Sequence, residues 1–107
     1  MKVQAALEQL VDAIQSSDIY KEYRKQSELV DLSGNLREKI NEYRARNFEL
    51  QNSSREEDIL DKMEAFEREY EKFRENPLVE EYLSAELAFC RMIQEIEIRL
   101  AEAVDFE

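Results

Sequence analysis

Two residues that could do chemistry meet in NPLVEEYLSAELAFCRMIQEI, residues 76–96: Cys90, the only cysteine, and Glu86 four positions earlier. On a helix they share one side, a turn apart. A nucleophilic thiol works as its thiolate, and an anion one turn away makes a poor setting for it. Cys90 therefore reads as a small buried hydrophobe. Glu86 falls between Val79, Tyr82, Phe89 and Ile93 on an apolar arc, where a carboxylate needs a partner. An Arg or Tyr across an interhelical contact, Arg44 being one candidate, would pair it and help fix helix register. The functional alternative makes Cys90 and Glu86 the centre of a cysteine-dependent cluster or small-ligand carrier. With one cysteine per chain, a cluster would require thiolates from other chains.

Little else in the sequence offers catalysis. There is no histidine, which removes the commonest general base and metal ligand together. A single glycine rules out a glycine-rich phosphate loop, and a di-iron bundle would need inward-facing Glu-x-x-His pairs. No catalytic residue, metal site or cofactor is expected.

The composition indicates what must position these residues. The chain has 107 residues, enough for one domain spanning 1–107 with a modest core. One glycine, one proline and an abundance of good helix formers point to an all-α fold. Fifteen basic against 26 acidic residues give a net charge of -11, which repels a phosphate backbone and an anionic membrane surface alike. Arg44 and Arg46 are flanked by Glu42 and Glu49 and read as a solvated helix face. No run reaches the roughly 20 apolar residues of a membrane span, and Glu8 and Asp12 interrupt the apolar stretch a signal peptide would need. A cytoplasmic protein is expected, and the lone cysteine agrees with a reducing compartment.

About five helices follow from periodicity and punctuation. Val3, Leu7, Leu10, Val11 and Ile14 form one side of a first helix. Ser16 or Ser17, with Asp18 behind it, starts a second, whose face is continued by Ile19, Tyr23, Gln26 and Val30. DLSGN, residues 31–35, is the clearest turn. A third helix carries Leu36, Ile40, Tyr43 and Leu50 in a narrow arc. Asn47 sits in the middle of that arc, a buried polar candidate that would set register. Ser54 and Glu57 have the capping-box spacing for a fourth helix.

On that fourth helix Ile59, Met63, Phe66, Tyr70 and Phe73 alternate spacings of four and three, a thin seam suited to a helical partner. It runs to ENP, where Asn76 and Pro77 cap and open the last helix, from about 77 to 104. That helix is longer than a domain of this size needs, so part of it should pack on another subunit. Val79, Tyr82, Phe89, Ile93, Ile96 and Leu100 make one apolar row, and Leu83, Leu87, Cys90 and Ile98 a second beside it. Phe66, Tyr70, Phe73, Phe89, Ile93 and Ile96 are the candidates for subunit or partner contacts, since aromatic anchors concentrate at such surfaces.

The order of these features resembles the YlbF/YmcA family of small helical bacterial proteins over nearly the whole chain. The likeness is carried by SSDIYKEYRKQSELVDLSGNLREKINEYRARNFELQ (16–51), with its paired Tyr20 and Tyr23 and the amides Asn47 and Gln51, then a charged helix. NPLVEEYLSAELAFCRMIQEIEIRL (76–100) completes it, with Val79, Tyr82, Ala85 and Glu86 at the family's Val-x-x-Tyr-x-x-Ala-Glu spacing. The resemblance implies an all-α fold with a long C-terminal helix and assembly as homo-oligomers or with related helical proteins. It also implies a regulatory role in competence, sporulation and biofilm control, in a complex that modulates RNA processing by a membrane-anchored endoribonuclease. Some members are linked to iron–sulfur clusters held through cysteines; this sequence has no additional C-terminal cysteine motif.

Overall fold

The computed structural model describes residues 1–53 and 56–105. Among these the chain is all-α, with six helices: α1 (Lys2–Gln15), α2 (Asp18–Asp31), α3 (Leu36–Ser53), α4 (Glu56–Glu69), α5 (Glu71–Glu75) and α6 (Pro77–Ala103). They fall into two compact units, Met1–Ser27 with Tyr82–Glu107, and Glu28–Glu81.

Local chemistry sets most helix boundaries. The Ser17 hydroxyl donates to the Ile14 carbonyl at 2.6 Å and accepts the Tyr20 amide at 3.2 Å. One side chain thus closes α1 and caps α2, with Asp18 in the first turn at the positive helix end. After α2, Gly34 takes φ +65°, and no atom lies within 4 Å of where a Cβ would sit. Its backbone angle, not crowding, is what calls for glycine there. Arg37 Nε donates to Asp31 at 2.9 Å across the same turn. At the start of α6 the Leu78 amide donates to Asn76 Oδ1 at 3.0 Å, and Asn76 is extended at ψ 117°. Asn76 and Pro77 therefore act as the cap and first residue that the sequence indicates. The Ser54 and Glu57 side chains of the expected capping box lie outside the described residues.

One boundary differs from the sequence reading. The expected fourth helix is two, α4 and α5, interrupted at Tyr70 with φ -102° and ψ 11°. EREYEKFRE contains no Gly or Pro, so local propensity favours an unbroken helix.

In the first unit Gln26, Ser27, Tyr82 and Ala85 are buried; Gln26 keeps its amide satisfied by donating to Glu22 at 2.8 Å. Tyr23 stacks on Phe89 at 5.1 Å and lies 6.1 Å from Tyr82, while Tyr20 meets Phe89 edge-on at 5.5 Å. Paired rings at these separations add about 0.5–1.5 kcal/mol each beyond their burial. In the second unit Val30, Leu36, Ile40, Phe66 and Val79 are buried. Beside them Tyr43 is the hub of an aromatic cluster, 5.3 Å from Phe66, 5.2 Å from Tyr70 and 5.4 Å from Phe73.

Candidate functional site

The main row of α6 keeps to one face while its cover runs out. Tyr82 is 1% exposed. Phe89, Ile93 and Ile96, next along the row, are half-buried. Leu100 is 56% exposed, and Val104, just past the helix end, 70%. At 1.5 Å per residue α6 is roughly 40 Å long, and its C-terminal end presents apolar side chains that are more than half exposed. The second row opens sooner: Leu83 is half-buried, but Leu87, Cys90 and Ile98 are exposed. α1 is similar, with no buried residue and Val3 and Leu7 at 71% and 53% exposure. Lone exposed apolar residues are ordinary; a row of them on one helix marks a contact surface.

The structure corrects the reading of Cys90 as a buried hydrophobe. Its spacing puts it on an apolar arc, but from Leu87 onward the row it belongs to is exposed. Glu86 is half-buried rather than buried, and its Oε2 accepts the Tyr82 hydroxyl at 3.2 Å. That hydroxyl lies one turn back on the same helix. Within one chain Cys90 and Glu86 offer one thiol and one carboxylate. The chain has one thiol, and among the described residues no three Cys, Asp or Glu side chains converge to hold a metal ion. The donor set of an iron–sulfur centre does not fit within one chain.

Asn47 is likewise half-buried. It lines a hollow of ≈ 80 Å³ with Tyr43, Met63, Phe66 and Arg74, so the structure brings it together with Phe66. Of the candidates on the charged helix, Phe66 is 9% exposed and taken up by its own unit; Tyr70 and Phe73 keep half-open rings. Arg46 is the residue that sequence reasoning missed. Far from being only a solvated charge, it donates to Glu69 and, at 3.2 Å, to the Tyr70 hydroxyl. Its guanidinium carbon sits 5.3 Å from the Tyr70 ring centre. The Glu69 hydrogen bond, then that to Tyr70, holds the Arg46 pKa above its ordinary range; the Arg46 hydrogen bond lowers that of Glu69. The available signal was its place three residues after Tyr43, at the edge of the α3 apolar arc.

Residues 3–105 match the family model described as control of competence regulator ComK, YlbF/YmcA. The chain belongs to the YlbF/YmcA family. This is a family of regulatory, non-catalytic helical proteins, and the all-α order with a long last helix agrees with membership. The chain is 29% identical over 106 residues to a UPF0342 protein of Desulfitobacterium hafniense, covering 97% of this chain and 86% of the relative. It is 26% identical over 101 residues to a UPF0342 protein of Caldicellulosiruptor bescii, covering 92% and 85%. A third, from Caldicellulosiruptor saccharolyticus, is 23% identical over 101 residues, covering 92% and 84%. No solved structure gave a significant match. Among the described residues of this YlbF/YmcA-family chain no helix is long and apolar enough to cross a membrane.

Proposed function

We propose that this chain is a regulatory adaptor that works by helix-mediated protein contacts, assembling with copies of itself or with related helical proteins in the cytoplasm. The carrying observation is the row Tyr82, Phe89, Ile93, Ile96 and Leu100, covered at its start and open at its end. An apolar helix face gains by burial about 25 cal/mol per Å², and water leaves that gain unrealised until a partner helix covers it. The net charge of -11 argues for a protein partner over a nucleic acid, whose phosphates it repels. Family membership supports a place in a complex that modulates RNA processing and developmental control, with RNA-processing proteins as the partners to look for.

Affinity purification of the tagged chain from its native host, with mass spectrometry, tests this. Reproducible recovery of related helical proteins together with RNA-decay proteins supports the reading. Recovery of RNA in proportion to low salt, or of no protein partner, contradicts it.

A further inference from the structure

We infer that the break at Tyr70 is held from outside the helix, and that residues 56–75 form a two-state segment that becomes one continuous helix when Arg46 lets go. Kinks in helices have identifiable causes: proline, glycine or serine pairs, bulges, or a side chain that intrudes. EREYEKFRE has no such breaker, and Tyr70 gives α5 no side-chain cap to compensate the break. Helical bonding persists up to it and resumes after it, from the Tyr70 amide to Phe66 at 3.1 Å and from the Arg74 amide to Tyr70 at 2.9 Å. In a continuous helix the amides of Glu71, Lys72 and Phe73 would bond the carbonyls four residues back. Local preference and observed structure therefore disagree at one residue, the kind of conflict that marks a tertiary constraint.

The constraint is visible. Arg46, on α3, donates to Glu69 and to the Tyr70 hydroxyl, the last residue of α4 and the break itself. Tyr43, one turn earlier on α3, holds the Tyr70 ring edge-on at 5.2 Å and the Phe73 ring at 5.4 Å. Arg46 and Glu69 are only partly covered, at 41% and 51% side-chain exposure, so an anionic partner group has access to compete for the guanidinium. Once released, the half-open Tyr70 and Phe73 would fall in line with Ile59 and Met63 along one straight stripe beside the buried Phe66, the seam that a partner helix reads. This use of the switch rests on the adaptor reading; the two-state segment does not.

The test is backbone NMR with amide hydrogen exchange on the whole chain, comparing wild type with Arg46→Met and Glu69→Gln. Arg46→Met keeps the apolar stem and removes every donor; Glu69→Gln removes the ion pair and leaves Arg46 in place. The expected result is a Tyr70 Cα shift that moves into the helical range in Arg46→Met, with exchange at Glu71, Lys72 and Phe73 slowed roughly tenfold or more, and one that stays non-helical in Glu69→Gln, where Arg46 still holds the Tyr70 hydroxyl. A Tyr70 that stays non-helical in Arg46→Met, or a segment that loses helical shifts throughout 66–75, overturns the inference. Partner recovery by the wild-type chain is read separately, so either idea can fail alone.

Discussion

Replacing Tyr43 with leucine probes whether the second unit is held by its aromatic cluster. Leucine keeps an apolar body on α3 but removes three ring pairs, to Phe66, Tyr70 and Phe73, at 5.2–5.4 Å. Each such pair contributes about 0.5–1.5 kcal/mol beyond burial, so the sum lies between about 1.5 and 4.5 kcal/mol. Tyr43 is half-exposed, and leucine recovers some dispersion, which places the loss near the lower end, about 2 kcal/mol. Urea unfolding followed by far-UV circular dichroism measures it as a lower midpoint at unchanged slope. A cycle with Phe73→Leu should then show coupling above about 0.5 kcal/mol, because the two rings touch. A Tyr43→Leu loss under about 0.5 kcal/mol would refute the idea that these rings carry the unit.

Two further outcomes follow from the local chemistry. Ser17→Ala removes the side chain that joins α1 to α2, and should cost about 1 kcal/mol in urea unfolding, whereas Ser17→Asn should recover most of it. The Glu69 pKa is lowered in the folded chain by Arg46, so the stability this pair contributes is present above the unfolded carboxylate pKa and is lost as pH falls through the folded one. The difference in unfolding midpoint between wild type and Glu69→Gln should therefore shrink on acidification below the usual carboxylate range, and should shrink with added salt at neutral pH.

Where structure is made by neighbours in sequence, it was legible. Ser17, Gly34 and Asn76 act within three residues of themselves, through a hydroxyl, a permitted backbone angle and a side-chain oxygen, and helix ends fall where they sit. Tyr70 was not legible, because its partners Arg46 and Tyr43 come from another helix and EREYEKFRE carries no trace of them. Cys90 shows a second limit. Periodicity assigns a residue to a face, and it says nothing about whether that face is covered. The same spacing that buries Tyr82 leaves Leu100 open and, on the neighbouring row, exposes Cys90. Glu86 accepts a hydroxyl, and that one, from Tyr82, sits on its own helix, a contact that spacing of four on one face permits.

The adaptor account depends most directly on the open end of α6. Leu100→Asp changes a side chain that is 56% exposed, so the isolated chain should unfold within about 0.5 kcal/mol of wild type. In affinity purification from the native host, the account expects RNA-decay and related helical proteins with the wild-type chain and their loss with Leu100→Asp. Equal recovery by both chains would contradict it.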